Sequence, residues 1–577
     1  MKTPKNLLQD RFADALAAAY PDAPVTARDL VVPAAKAEHG DYQCNQALPL
    51  AKMVGAKPRD VAARIVEHLR IDDICLSPEI AGPGFINLRL TPAFIGGEVG
   101  ARAADPRLGV AAAEQPRTII IDYSSPNVAK PMHVGHIRST VIGDALTRTL
   151  RFLGHRVIGD NHIGDWGTQF GMILLGYKEL ADPAALQADP IPELKRIYRT
   201  VNSRAKSDEA YKERAAQEVV KLQAEDPEQM RIWTEVLALS RRVANEIYGR
   251  LDVRFDVWHG ESFYNAMLGE VVEELLEKGI AREDQGAVVV FFDGPDDPPA
   301  LADKPMIIRK RDGAYLYSTS DLAAIKYRHE HWHPDDMIYV VDGRQQDHFR
   351  QVFATARKWG YTHSRYEHVW FGTIQGPDGK PFKTRDGDPP ELGDLLDEAE
   401  ERALAIVADK QPDLPVEQQR EVARVVGLGA VKYSDLAQAR TSDYMFSWDR
   451  MLAMQGNTAP YMQYAYVRIC SILEKSGVDP ETLNGPVMLA QPAELALAKV
   501  LLRFGDALDE SAAVYRPNVL TSYLFDVASA FSGFYEQCPV VSAEWPQRVS
   551  RLTLCRLVAR TLKQGLDLLG IETLPRM

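Results

Sequence analysis

The chain has 577 residues and a net charge of −13, too long for one core and predicting about three or four domains of roughly 150 residues each. At 46% hydrophobic and 25% charged residues its composition is that of an ordinary globular protein, which excludes a disordered one, and no apolar run is long enough to span a bilayer. Cys44, Cys75, Cys470, Cys538 and Cys555 are scattered, odd in number and without Cys-x-x-Cys spacing, which excludes structural zinc and fits a reducing cytoplasm.

Residues 1–105 read as a small α+β domain. Met1 to Lys5 lead into an amphipathic helix instead of a signal-peptide core. Helical periodicity covers Leu7 to Ala19, Ala47 to Val54 and Pro58 to Leu69, and a strand from Phe85 to Leu90 follows Gly82-Pro83-Gly84. The Ala-rich stretch from Ala101 to Pro116, broken by Pro and Gly, marks the boundary. Residues 117–450 alternate strand and helix, as a Rossmann-type doubly wound parallel sheet requires. The predicted strands are Thr118 to Tyr123, Arg156 to Asp160, Val288 to Phe292, Ile338 to Val341 and His368 to Thr373. A charged helical segment, about 190–251, interrupts this pattern as an insertion. Residues 451–577 carry several amphipathic helices and almost no strand signal, which predicts an all-α helical bundle.

The negative charge opposes nucleic-acid binding, because phosphate contacts need Lys and Arg. Its distribution softens the objection: residues 450–577 hold 12 basic and 12 acidic side chains, so the whole deficit lies elsewhere. Arg556, Arg560 and Lys563 project to one side of a helix, preceded by Arg548 and Arg551. That stripe reads either as a solvated face or as an electrostatic footprint for an RNA backbone.

The most informative stretch runs from Pro126 to His136, between the β-branched segment Thr118 to Tyr123 and the helical pattern Ile137 to Phe152. A βα loop at the carboxyl end of a parallel strand is where open α/β sheets bind ligands, with free N–H groups at the helix start for a phosphate. Gly135 allows close backbone approach, and His133 and His136 can donate to phosphate or ribose. On the His-x-x-His pair alone, two half-exposed loop histidines or a partial metal site is the better reading.

The run Asn127-Val128-Ala129-Lys130-Pro131-Met132-His133-Val134-Gly135-His136 closely resembles the ATP-binding motif of class I aminoacyl-tRNA synthetases, in its arginyl-tRNA synthetase form. Gly40 to Gln43, Gly82 to Asn87, Gly164 to Gly171, Tyr317 to Asp321, Lys380 to Arg385 and Asn457 to Ala465 resemble the same family in order and spacing, over nearly the whole chain. The resemblance implies an N-terminal tRNA-binding domain (1–105), a class I catalytic domain (117–450) and an anticodon-binding domain (451–577). It also implies a cytoplasmic, monomeric ligase that uses ATP and Mg²⁺ to make arginyl-adenylate and passes arginine to the terminal 2′-OH of tRNA(Arg). Activation is expected to need bound tRNA.

Adenylation asks a protein mainly to position groups and neutralise developing charge. The resemblance makes His133, Gly135, His136, Lys130 and Lys383 ATP contacts, with Arg385 beside them. The mobile Lys-Met-Ser-Lys-Ser loop of the class is irregular here. Lys380-Pro381-Phe382-Lys383-Thr384 keeps two lysines, but a register one residue over replaces the second with Thr384, and the resemblance assigns Lys130 to compensate. Recognising a guanidinium needs carboxylates and other acceptors in planar geometry. The resemblance places Ser125, Pro126, Asn127, His136, Tyr317, Asp321 and Gln345 in that pocket; read alone, Tyr317 is a core aromatic and Asp321 a helix N-cap. The motif Gly164-Asp165-Trp166-Gly167-Thr168-Gln169 shapes the wall. For tRNA, the expected contacts are Gln43, Asn457, Tyr461, Gln463, Tyr464, Arg556 and Arg560, although a tyrosine stripe also reads as helix packing. No metal ligands and no general base for the transfer stand out.

Two rivals remain. A synthetase for cysteine or glutamine is disfavoured by the absence of zinc-ligand spacing and by Tyr317, Asp321 and Gln345. A non-catalytic RNA-binding paralogue is disfavoured by the intact Lys130, His133, Gly135 and His136.

Overall fold

Apolar runs that are buried on both faces form the central sheet. In a computed structural model the strands are Thr118–Tyr123 (β1), Arg156–Asp160 (β2), Asp336–Val340 (β3) and Arg365–His368 (β4), all parallel, in the order β4-β3-β1-β2. The helix Val134–Phe152 (α1) joins β1 to β2, and Gln346–Trp359 (α2) joins β3 to β4. Because the connections diverge on either side of the β1/β3 pair, that pair is the topological switch point, where a crevice opens at the strand ends. The structure describes residues 1–23, 30–166, 168–376, 378–380, 382, 390–483 and 485–577.

The chain divides into two compact units: residues 1–112, 453–567 and 572–577, and residues 113–452 with 568–571. In the first unit a four-stranded antiparallel sheet, with Gln43 opposite Asn87, accompanies the helices of the N-terminal segment. Those helices are Pro4–Ala19, Ala47–Val54, Pro58–His68 and Pro92–Ala104. The C-terminal helices belong to the same unit. Val487 donates its N–H to the Gly96 carbonyl at 3.0 Å, and Arg560 donates to the Ala103 and Asp105 carbonyls at 2.6 and 2.8 Å. A Cβ on Gly96 or Gly100 would strike the backbone of Val487 or Gly485, so glycine permits this close approach.

Two predicted strands are corrected. Val288 to Phe292 is not part of the parallel sheet: Ala287–Val290 lies in a separate antiparallel sheet between Ala281–Asp284 and Met306–Arg309. A short apolar run fits either kind of buried strand, so periodicity cannot separate them. His368 to Thr373 is mostly irregular, with β4 ending at His368 and a two-residue strand, Ile374–Gln375, pairing with Tyr444–Met445. Helices of the excursion start before residue 190, at Thr168, and run through Pro227–Arg250.

Candidate active site

The loop between β1 and α1 is held in an unusual shape. Ser124, Ser125 and Ala129 have φ of +74°, +50° and +60°, a left-handed backbone that costs L-residues about 1–2 kcal/mol each and persists only where surrounding contacts impose it. The Ser124 N–H donates to Ser139 Oγ at 2.8 Å, the Ser125 N–H to Asn161 Oδ1 at 3.1 Å, and the Ala129 N–H to Ser240 Oγ at 3.0 Å.

At the far end of the loop the two histidines cap α1. His133 Nδ1 accepts from the Gly135 N–H at 3.1 Å, and His136 Nδ1 accepts from the His133 N–H at 3.0 Å. An imidazole that accepts at Nδ1 carries its proton at Nε2. Burial pushes His136 down to about 3 and His133 below its usual value, with neighbouring positive groups, Arg344 and Lys130 for His133, acting the same way. Both rings are therefore neutral donors at pH 7, while the first N–H groups of α1 are occupied within the protein: Val134 donates to the Pro390 carbonyl at 3.0 Å, Gly135 to His133 Nδ1 at 3.1 Å and His136 to the His133 carbonyl at 2.8 Å. Gly135 has a reason that its motif does not announce: a Cβ there would lie 2.8 Å from His133 Cε1.

At the ends of β1 and β3 lies a cavity of about 520 Å³. Ser125, Asn127, Tyr317, Asp321 and Gln345 line it. So do Asp122, His162, Glu261, Arg344 and His348, which sequence reasoning missed. Pro126 and His136 are not among its lining residues, and Pro126 faces a second cavity of about 370 Å³. Asp321 is the fifth residue of the helix Tyr317–Trp332 (α3), whose N-cap is Leu316, so the N-cap reading of Asp321 fails. Its Oδ2 accepts from His348 Nε2 at 2.6 Å, and burial, which raises the carboxyl, is outweighed by that bond and the nearby positive groups. Glu261 behaves oppositely. Burial pushes it up to about 7, with Asp165 and Asp321 adding to the shift and His162 opposing it. Tyr317, more than half exposed, stands 4.6 Å from the His348 ring at the mouth.

Beneath the cavity, Asp122 and Asp160 sit side by side across β1 and β2. Like charges in that register repel. Arg328 of α3 resolves this by reaching both carboxylates with Nη2, at 2.6 and 2.8 Å, and its side chain is fully buried. Asp122 Oδ1 accepts in turn from Ser125 Oγ at 3.2 Å.

Other expected residues fall elsewhere. Lys130 lines the 370 Å³ cavity, its ammonium 5.2 Å from the centre of the Tyr198 ring, and burial lowers its pKa. Lys383 and Arg385, with Thr384, lie outside the described residues. Gln43 donates to Asn87 Oδ1 at 2.7 Å. Asn457 and Tyr461 are half-buried, and Tyr464 is 49% exposed. Gln463 is buried and donates to the Glu572 carbonyl at 2.9 Å. Arg556 is buried against Glu481 and the Leu483 carbonyl, and Arg560 is bound to Ala103 and Asp105. The solvent-facing arginine stripe is thereby corrected: Arg551, Arg556 and Arg560 hold protein acceptors, because the helix Trp545–Leu568 that bears them is buried along most of its length.

A parallel sheet with its crevice at the switch point, and two neutral histidines capping the first crossover helix beside it, defines the class I tRNA-synthetase type of nucleotide site. Family models agree: residues 101–448 match the class I (R) tRNA synthetase catalytic domain, 462–577 the DALR anticodon-binding domain and 6–90 the arginyl-tRNA synthetase N-terminal domain. Arginine–tRNA ligases of Cellvibrio japonicus and Proteus mirabilis are 46% and 47% identical to the chain, over 99% of it and 100% and 99% of their own lengths. Among solved structures, the arginyl-tRNA synthetase of Plasmodium falciparum superposes with a TM-score of 0.84 at 27% identity, covering 100% of both chains. That of Thermus thermophilus superposes with 0.83 at 25% identity, covering 99% of this chain and 100% of its own. The chain belongs to the arginyl-tRNA synthetase family.

Proposed function

We propose that the chain activates L-arginine with ATP, releasing pyrophosphate, and transfers the arginyl group to the terminal 2′-OH of tRNA(Arg). The observation that carries this reading is the pairing of a carboxylate-lined cavity with the histidine-capped helix start. Asp321, kept ionised by His348, takes the guanidinium, and Glu261 ionises alongside it once a cation arrives. Ser125, Asn127 and Gln345 bind the remaining polar groups of the amino acid, and Tyr317 closes the mouth. His133 and His136 donate their Nε2 protons to ATP, and the exposed Arg344, on the same cavity wall, supplies a cation to the phosphates. Lys130 and Lys383 complete the phosphate contacts.

Among the described residues no group of three His, Cys, Asp or Glu is placed to hold a metal, so Mg²⁺ is assigned to the ATP phosphates as part of that substrate. Residues 1–105 and 451–577 hold the tRNA, with Asn457, Tyr461 and Tyr464 as the contacts best placed to meet bases. The protein acts as a cytoplasmic monomer. Charging of total tRNA with each amino acid in turn tests the reading: arginine alone is accepted, and acceptance of a different amino acid in its place rejects it. Pyrophosphate exchange with arginine is weak without tRNA, and strong exchange rejects that requirement.

A further inference from the structure

The helix Pro227–Arg250 grips the β1–α1 loop at both of its left-handed bends. At one bend, Ser240 Oγ accepts the Ala129 N–H at 3.0 Å, while its own proton goes to the Val236 carbonyl at 2.8 Å. At the other, the Tyr248 hydroxyl lies 2.7 Å from Ser124 Oγ and accepts from Asn161 Nδ2 at 3.1 Å. The same Asn161 uses its Oδ1 to hold the Ser125 N–H. The phenol oxygen thus touches the Ser124 side chain, which also lies 2.8 Å from Thr140 Oγ1, and Asn161, the group that holds the Ser125 N–H; the Ser124 N–H is held separately by Ser139 Oγ. Tyr248, Ser124 and Asn161 are all buried, so removing the hydroxyl leaves Asn161 Nδ2 without a partner that water could replace, whereas Ser124 Oγ keeps Thr140 Oγ1. Ser125, the residue presented by this turn, lines the cavity and bonds Asp122.

We propose that Tyr248 is a positioning residue for amino-acid activation, through which the last helix of the insertion sets the left-handed turn that presents Ser125 to the substrate. This rests on the cavity being the arginine site. The ring itself packs edge-on against Phe255 and Trp258 at 4.9 and 5.7 Å, which anchors the hydroxyl and lets it be deleted with little loss of packing. Its role is distinct from that of a substrate contact, since Tyr248 does not line the cavity.

The test is arginylation by the full chain carrying Tyr248→Phe, Ser124→Ala or both. The expected result for Tyr248→Phe is a kcat reduced about tenfold and an arginine KM raised several-fold, with the KM for tRNA close to that of the parent and the melting temperature lower by only a few degrees. Ser124→Ala gives a comparable loss, and the double variant is no worse than the weaker single variant, as for groups that act as one unit. A Tyr248→Phe enzyme within twofold of the parent overturns the proposal, as do losses that multiply in the double variant. A lowered melting temperature with tRNA and arginine KM raised alike makes Tyr248 merely structural and also overturns it. If the parent charges an amino acid other than arginine, the cavity assignment fails first, and that control separates the two failures.

Discussion

His348 Nε2 donates to Asp321 Oδ2 at 2.6 Å, joining the start of α2 to the first turns of α3 across the mouth of the cavity. The bond keeps a buried carboxyl ionised and aimed. Asp321→Asn removes the charge but keeps the shape, so arginine kcat/KM should fall about 100-fold, the upper range for a charged hydrogen bond. His348→Ala should cost about tenfold, and steady-state arginylation at varied arginine measures both. Equal activity of Asp321→Asn and the parent would remove Asp321 from the substrate contacts.

Glu261 gives the site a pH dependence. Its carboxyl is raised to about 7, so in the free protein it is protonated below that pH and ionised above it. A bound guanidinium favours the ionised form, and the arginine KM should climb as pH drops from 8 to 6. Glu261→Gln should flatten that profile. For stability the sign runs the other way: a raised carboxyl stabilises the fold below its unfolded value near 4.5 and loses that contribution as pH rises through 7. Glu261→Gln should therefore melt higher than the parent at pH 8 and little differently at pH 4.5; scanning calorimetry of the two proteins at both pH values decides this.

Gly135→Ala places a methyl 2.8 Å from His133 Cε1. The ring must rotate away, breaking the cap and misdirecting its Nε2 proton. Adenylation should fall about 10- to 100-fold, as for 1–3 kcal/mol of overpacking at a site. The loss should appear mainly against ATP, with arginine KM little changed; an unaltered ATP dependence would separate the His133 orientation from nucleotide binding.

Arg328→Met leaves Asp122 and Asp160 facing each other without a cation. Breaking a buried ion pair by removing one partner costs about 3–5 kcal/mol, so urea unfolding of the catalytic unit should shift to clearly lower denaturant. Adding Asp160→Asn should recover part of the loss, because it removes one of the two uncompensated charges.

What sequence made legible follows from range. β1 and β2 span the predicted residues, Thr118–Tyr123 and Arg156–Asp160, because each is built around an apolar β-branched segment, Ile119 to Ile121 and Val157 to Ile158, that is buried on both faces. Ala287–Val290 was assignable as a strand but not to a sheet, since its partners are chosen by tertiary packing. Ser125, Asn127, Tyr317, Asp321 and Gln345 were readable as pocket residues only through resemblance. His348, Glu261 and Arg328 were not, because each gains its meaning from a partner far away in sequence: His348 from Asp321, 27 residues earlier, and Arg328 from Asp122, 206 residues earlier. Charge periodicity marked Arg556 and Arg560 but could not distinguish a helix face turned to water from one turned to carbonyl groups.

The joining of residues 1–112 and 453–567 in one unit has a consequence for synthesis of the chain. About 340 residues of the other unit separate them, and at 5–20 residues per second the ribosome needs roughly 20–70 s to make that stretch. Until the bundle emerges, the helix around Gly96 and Gly100 waits without the backbone it is shaped to receive. The face of Pro92–Ala104 that meets Gly485 and Val487 is therefore completed only once the last quarter of the chain has been made.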